Sequence, residues 1–265
     1  MINPLGNSPA ISSPQSKLTT ALQALSSGRS INSAADNAAG LAQATSYSVQ
    51  LSGTAQAMSN VMNGMSMLDT ANGAIDQISQ GLQDIRTLAV QAGNSTLNAS
   101  DRQAIQEQVN RITQGINQIA GGSQFNGQNL LDGTANLTMQ SGPDAGQTQN
   151  LQLGNLSGAA LGIASVDVTT AAGQSAALTS LDNAIQQVSN QSASIGAAQA
   201  SLGSTLAGQG VTYENLAAAK SRISDTDYAK TSSDLVQSNV QQQASLQALA
   251  LYNATQNSVL TLLPK

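Results

Sequence analysis

Two acidic side chains near the end of the chain could form a catalytic or calcium-binding pair. Asp225 and Asp227 stand two residues apart, and paired carboxylates act as general acid and base or as oxygen ligands. The 265 residues contain no His and no Cys, so imidazole bases, thiolate nucleophiles and ordinary zinc ligands are missing. We therefore expect these aspartates to cap and orient the chain between two helices, and we expect no enzyme activity, no cofactor and no metal site.

The overall composition excludes further classes of function. Charged residues make up 9% of the chain and the formal net charge is -5, whereas nucleic-acid binding needs clustered Lys and Arg. No apolar run reaches the roughly 18 residues of a membrane span. No basic segment followed by an apolar one marks a cleavable signal peptide.

Apolar residues recur at heptad spacing in three long stretches. They predict helices over about 38–92, 100–120 and 176–223. Ser100, with Gln103 three residues later, predicts the N-cap of the second helix. Because each apolar seam needs a partner, we expect antiparallel helices packed as a coiled coil. The clearest steps of three and four residues run through Ile75, Ile78, Leu82, Ile85, Ala89 and Ala92.

Residues 123–170 have a different pattern. An Asn-Gly pair at 126–127 is a turn signal. Apolar and polar residues alternate around Leu137 and again around Leu151, on either side of a Gly-Pro-Asp-Ala-Gly segment. This pattern predicts a β-hairpin. Ile163, Val166 and Val168 are expected to add a short strand.

Both ends of the chain are nearly free of charge. No charged residue occurs between Leu235 and Pro264. An uncharged amphipathic helix of this kind is expected to be buried against other copies or another protein. The residues expected to make these self-assembly contacts are Leu18, Leu22, Leu25, Leu235, Val236, Val240, Leu246, Leu249, Val259, Leu260, Leu262 and Leu263.

Several short motifs, in the family's order, resemble those of bacterial flagellin. Toward the N-terminus and middle they are LSSG at 25–28, INSA at 31–34, DNAAGLA at 36–42, LQDIRTLAVQ at 82–91, QFNG at 124–127 and LLDG at 130–133. Toward the C-terminus they are SRISDTDYA at 221–229, QQQA at 241–244 and VLTLL at 259–263. The resemblance covers most of residues 16–263.

The resemblance implies a mainly α fold. The expected architecture is a long antiparallel coiled-coil helical rod with a small β-hairpin region, and N- and C-terminal helices paired in a core domain. Residues 1–37 and 225–265 would form the filament core domain, and residues 38–224 the rod-like outer domain. The segment before Leu25 is shorter than is usual in the family and contains three prolines, so its helix is expected to start near Gln15.

The function implied is that of a structural subunit of the bacterial flagellar filament, exported to the cell exterior without a cleavable signal peptide. Implied partners are other flagellin copies, an export chaperone on the C-terminal segment, and filament cap and hook-junction proteins. Two alternatives stay open: a hook–filament junction protein, and a cell-surface carbohydrate-binding homologue. Sugar sites usually stack rings on aromatic side chains, and the chain has only five. The family's zinc-peptidase variant needs His ligands, which this chain lacks.

The LQDIRTLAVQ stretch also resembles a surface that the animal innate receptor for flagellin contacts, and that surface can equally lie between subunits. Arg86, Leu88 and Gln91 match the family's pattern. Asp84 stands where recognised flagellins have Arg, and Gln108 stands where they have Glu.

We expect weak receptor activation, because Asp84 reverses the charge at an interface position. Purified monomer applied to receptor-reporter cells measures this directly. Strong signalling by the monomer would contradict the expectation.

Overall fold

The computed structural model describes the backbone of residues 9–262 and the side chains of residues 13–251, 254 and 255. Its helices are α1 (Pro9–Ser27), α2 (Ala34–Ala92), α3 (Ala99–Gly122), α4 (Ala171–Ser224) and α5 (Tyr228–Leu262). Two antiparallel strand pairs are β1 (Gln124–Phe125) with β2 (Gln128–Asn129), and β3 (Asn136–Gln140) with β4 (Thr148–Gln152). The predicted mainly helical class with a small hairpin region is confirmed. None of the helices described is long and apolar enough to cross a membrane.

The chain divides into two compact units, and both divisions fall inside helices. Unit 1 comprises residues 1–51 and 214–265, and unit 2 comprises residues 52–213. Helices α2 and α4 therefore contribute to both units, whereas α1 and α5 belong to unit 1. The domain boundaries predicted from the sequence stay a prediction.

Within unit 2, α4 runs antiparallel to α2. Gln174 Nε2 donates a hydrogen bond to the backbone oxygen of Ala89 at 3.1 Å. Gln199 Nε2 donates to Asp69 Oδ1 at 2.8 Å. Residue numbers thus fall along α2 as they rise along α4, which is the antiparallel arrangement expected for paired heptad seams.

Helix α3 also packs antiparallel on α2. Arg102 Nε donates to the backbone oxygen of Ala92 at 3.1 Å near the connecting turn. Further along, a Cβ atom on Gly81 would lie 3.2 Å from Cγ1 of Ile116. Glycine lowers helix propensity by about 1 kcal/mol, and here it allows the two helices to approach closely.

The core formed by the described side chains lies in unit 2. It contains the heptad residues that the sequence analysis singled out on α2, and Ile75, Ile78, Leu82 and Ile85 are at most 1% exposed. Full burial of such a side chain contributes about 1.5–3 kcal/mol. The largest fully buried side chains are Leu68, Ile75, Ile78, Leu82, Ile85, Ile116, Leu130, Leu131, Leu161, Ile163, Leu181 and Ile195.

Both predicted turns form hairpins. Asn126 and Gly127 join β1 to β2 with φ values of 50° and 78°. Positive φ at both central residues is typical of a type I′ turn, whose twist matches that of the flanking strands. Strands β3 and β4 pair with Leu137 opposite Leu151, which confirms the predicted β-hairpin.

The short strand predicted over residues 163–168 is wrong. The backbone N–H of Ile163 donates to the oxygen of Gly158 at 2.9 Å, which is a local turn bond. The N–H of Val168 donates to Gln106 Oε1 at 2.7 Å. These groups are therefore satisfied without a neighbouring strand, while Ile163 and Val168 remain buried. The apolar spacing of Ile163, Val166 and Val168 resembles a strand because these side chains are buried, not because the segment pairs with another strand.

The start of α3 also differs from the prediction. Asn98, not Ser100, is the N-cap: its side-chain oxygen accepts from Asp101 N at 2.9 Å, and the Asp101 carboxylate accepts from Asn98 N at 3.1 Å. This reciprocal pair satisfies two backbone donors at the helix end. Both Asn and Ser are good N-cap residues, and the acidic partner three residues on decides between them.

Helix α1 begins at Pro9 rather than near Gln15, and Pro14 lies inside it. Pro9 is the first residue of the helix, where its fixed φ is helical and its missing amide would have no partner within the helix. Pro14 is the sixth residue, where it removes the amide that would donate to the carbonyl of residue 10 and crowds that carbonyl. The helix nevertheless continues through Pro14.

The capping box predicts the effect of one substitution. Asn98→Ala should lower the free energy of unfolding by about 1 kcal/mol, because the α3 start loses its side-chain acceptor. Ser100→Ala is the control, since Ser100 lies inside the helix. Chemical denaturation followed by circular dichroism measures both. Equal effects of the two substitutions would contradict the assignment.

Candidate functional site: the paired terminal helices

Helices α1 and α5 pack together in unit 1. Gln242 Nε2 donates to Gln15 Oε1 at 2.9 Å, and the N–H of Thr226 donates to the oxygen of Gly28 at 3.1 Å. Residue numbers rise on one helix as they fall on the other, so the pair is antiparallel. The predicted pairing of N- and C-terminal helices is confirmed.

The fully buried side chains on the face of α1 toward α5 are small. Ala21 and Ala24 are buried, whereas Leu18 and Leu25 are half-buried. Leu22 points elsewhere and is 51% exposed. An alanine methyl contributes about 0.8 kcal/mol when buried, so this seam holds α1 weakly.

The face of α5 toward α1 follows a heptad step, but most of its residues are polar. Leu235 and Leu249 supply its large apolar side chains, and Ser238 is its most buried member at 5% exposure. We call this set the α5 seam. Its members are Thr231, Leu235, Ser238, Gln242, Ser245 and Leu249.

The apolar residues predicted to mediate self-assembly divide into three groups. The half-buried ones in the seam between α1 and α5 are Leu18, Leu25, Leu235 and Leu249. The exposed ones are Leu22, Val236, Val240 and Leu246. Those lying outside the described side chains are Val259, Leu260, Leu262 and Leu263.

The two segments that connect the terminal helices to the rest of the chain are bonded to each other. The N–H of Ser30 donates to the oxygen of Ser224 at 2.7 Å, and Arg29 pairs with Asp225 in an antiparallel bridge. Gly28, at φ 69°, ends α1 in the left-handed region that glycine adopts readily. The bridge ties the end of α1 to the start of α5.

Asp225 and Asp227 organise this region, as the sequence analysis expected. Asp227 Oδ1 accepts from Lys230 N at 3.0 Å at the start of α5, which is N-capping. Asp225 accepts from the hydroxyl of Ser221 at 2.6 Å. Among the residues whose placement is described, no three acidic side chains group so that they could hold a metal ion.

Asp36 has a structural role that the sequence analysis did not assign. Its Oδ2 accepts from Ser33 N at 2.8 Å, Asn32 N at 3.0 Å and Ser33 Oγ at 3.1 Å. These bonds, led by the one from the Ser33 backbone, lower the pKa of Asp36. The available signal was an acidic residue three positions after Ser33, in the first turn of α2.

The residues predicted as a receptor or intersubunit surface do not all share one face. Asp84, Leu88 and Gln91 follow a four-three step on α2, and Gln108 is exposed on α3. Arg86 lies roughly 200° around α2 from Asp84, where its Nε is 2.8 Å from Asp182 Oδ1 of α4. Arg86 is therefore engaged away from the others, and the role of this surface stays a prediction.

Family profiles and individual relatives both show similarity to flagellar filament proteins. The profile of the bacterial flagellin N-terminal helical region matches residues 4–136, and that of the C-terminal helical region matches residues 178–263. The flagellin of Bacillus subtilis (strain 168) is 36% identical over 288 residues, covering 96% of this chain and 95% of that protein. The flagellar filament 33 kDa core protein of Treponema phagedenis is 35% identical over 259 residues, covering 91% of each.

A solved structure is also similar in fold. A Vibrio parahaemolyticus protein described as flagellar hook-associated aligns with 72% of this chain and 100% of its own, at a TM-score of 0.61 and 15% identity. At this identity the likeness supports the fold alone.

The bonds to Asp36 predict a pH dependence. Because its folded pKa is lowered, its contribution to stability is complete above its unfolded pKa and is lost as pH falls through the lower folded pKa. Asp36→Asn should therefore lower the melting temperature at pH 7, and the difference from wild type should vanish in acid. Thermal unfolding followed by circular dichroism measures both.

Asp76→Asn is the matched control, because Asp76 is an exposed aspartate on α2 for which no hydrogen bond is described. It should melt like wild type throughout. A difference for Asp36→Asn that persisted at the lowest pH would contradict the assigned role.

Proposed function

This chain belongs to the bacterial flagellin family, and we propose that it polymerises with copies of itself into the filament of a bacterial flagellum. The relatives that are named as filament core proteins support this proposal. The absence of His and Cys from the sequence agrees with a structural rather than a catalytic role.

The observation that carries the proposal is the exposed apolar surface of α5. Val236, Val240, Leu246 and Leu251 are each at least 50% exposed, on a segment that has no charge from residue 235 to 262. Exposed apolar side chains on an uncharged helix mark an interaction surface. Other copies of the chain can cover this surface, and they are available in excess in a polymer.

We further propose the finer parts of this role. Residues 1–37 and 225–265 would form the filament core, and residues 38–224 the outer domain. We also propose export to the cell exterior. The proposed partners are a chaperone on the C-terminal segment and cap and hook-junction proteins at the filament ends, and membership of the family supports them. The surface around Asp84 would give only weak receptor activation.

Seeded elongation tests the proposed function. Purified protein alone should extend preformed filament seeds into long filaments, as followed by light scattering and negative-stain microscopy. Short or absent filaments from fully folded protein would contradict it.

A pair of valine substitutions tests the role of α5 in the same assay. Val240 and Val211 are both 60% exposed, but only Val240 lies on α5. Val240→Asp should raise the critical concentration by more than about 100-fold, because an uncompensated buried charge costs about 3–5 kcal/mol. Val211→Asp should elongate like wild type, and circular dichroism should show both folded. Normal elongation by Val240→Asp would show that this face of α5 is not needed for assembly.

A further inference from the structure

Asparagine followed by glycine occurs three times in the chain, at positions 63–64, 72–73 and 126–127. Asparagine is one of the chemically labile residues of proteins. The backbone nitrogen of the next residue can attack the side-chain carbonyl carbon, and glycine, which has no Cβ, leaves that nitrogen unshielded. Each of the three pairs is therefore able to deamidate, and the fold decides which of them is free to react.

Two of the pairs lie in the interior of α2. The N–H of a residue inside an α-helix donates to the carbonyl four residues earlier, and its φ and ψ are fixed. Gly64 is also buried, and a Cβ on it would lie 2.6 Å from Sδ of Met139. Asn72 Oδ1 is 3.5 Å from Oγ of Ser192 on α4. Attack by the nitrogen of Gly64 or Gly73 therefore requires α2 to open within unit 2.

The third pair forms the loop of the β1–β2 hairpin. Phe125 pairs with Gln128, so Asn126 and Gly127 lie outside the ladder, and both are exposed. Among the described backbone hydrogen bonds outside helices and strands, none uses the N–H of Gly127. The flanking strands have two residues each. The nitrogen of Gly127 is thus accessible, and its attack does not require a helix to open.

Two pairs of asparagine with serine also lie between helices, and each of them is restrained. The N–H of Ser33, which follows Asn32, donates to Asp36 Oδ2 at 2.8 Å. The side-chain oxygen of Asn94 accepts from the N–H of Thr96 at 3.1 Å. In both pairs the attacking nitrogen belongs to a residue with a Cβ, which shields it. We therefore expect both to react more slowly than the hairpin loop.

We propose that Asn126 is the site at which the folded chain deamidates. The Gly127 nitrogen loses its proton to water or hydroxide and forms a bond to Cγ of Asn126. The Cγ–Nδ2 bond breaks, the nitrogen takes up a proton and leaves as ammonia, and a cyclic succinimide remains. One water molecule then opens the ring at either carbonyl and gives Asp or isoaspartate. No electrons are transferred, and water is the only co-reactant.

The reaction changes the hairpin in two ways. Both products carry a negative charge where Asn126 is neutral. Isoaspartate also adds a methylene group to the main chain, and the register of a hairpin is set by its turn type and loop length. The half-buried Phe125 packs against the core at this hairpin. The isoaspartate product should therefore loosen the pairing of β1 with β2, whether or not the chain polymerises.

Peptide mapping of the full-length protein tests the proposal. Folded wild-type protein is incubated in neutral and in mildly alkaline buffer, and circular dichroism checks that it stays folded. Samples are digested with pepsin in acid, where deamidation is slow. Liquid chromatography with mass spectrometry then separates the Asn, Asp and isoaspartate forms of each peptide. A parallel incubation in denaturant removes the protection that α2 provides.

In the folded protein, peptides containing residue 126 should deamidate more than about tenfold faster than those containing residue 63 or 72, because reaction in α2 waits for local opening of the helix. The rate at residue 126 should rise with pH, since the nitrogen attacks after losing its proton. In denaturant the three rates should become similar. A smaller ratio in the folded protein, or no reaction at residue 126, would overturn the proposal.

Asn126→Gln is the matched control variant. It keeps a side-chain amide but places one more methylene group between that amide and the backbone, so attack by the next nitrogen must close a larger ring and is slower. The peptide containing residue 126 should then keep its mass, while those containing residues 63 and 72 should behave as in wild type. An equal mass gain in this variant would show that a neighbouring amide reacts instead of Asn126, and would overturn the assignment.

Discussion

The shortage of buried apolar surface in the terminal helices governs the rest of this structure. Among the described side chains of unit 1, the buried apolar ones are Ala21, Ala24, Ile31 and Ala44. Ordering one backbone residue costs about 1–2 kcal/mol, and a buried methyl group returns about 0.8 kcal/mol. Isolated helices are only marginally stable in water, so α1 and α5 depend on contacts beyond their own seam. We propose that copies of the same chain supply those contacts in a filament.

Unit 2, in contrast to unit 1, buries many large apolar side chains. Its antiparallel α2, α3 and α4 bury a continuous row of Leu and Ile side chains, and the β3–β4 hairpin covers part of it. A Cβ on Gly64 would lie 2.6 Å from Sδ of Met139 on that hairpin, so the glycine makes room for it. A unit with this core can fold before assembly. A unit with its own core joined to one that needs partners agrees with the proposed polymerisation.

The sequence predicted those parts of the fold whose signals are local. Heptad steps such as Ile75, Ile78 and Leu82 identified the core face of α2, and the Asn126-Gly127 pair identified a tight turn. The irregular segment at 163–168 was mistaken for a strand because the partner of its backbone, Gln106, lies about 60 residues away in the chain. No local pattern carries that information.

The sequence singles out candidate residues on α5 but does not give their geometry. The apolar side chains of α5 stand out in an uncharged segment, yet the sequence does not say which of them face α1. The α5 seam is mainly polar. A count of apolar residues along α5 would therefore place α1 against the opposite face of the helix. Only the packing of α1 on Ser238 and Gln242 separates the α5 seam from the exposed face of the helix.

We propose that assembly stabilises α1 and α5, while unit 2 is stable alone. Hydrogen–deuterium exchange of the monomer and of the filament, read by mass spectrometry, measures this difference. Peptides from α1 and α5 should exchange rapidly in the monomer and become protected in the filament, while the core of α2 between Ile75 and Ile85 should be protected in both. Equal protection of α5 in monomer and filament would show that assembly does not stabilise this helix.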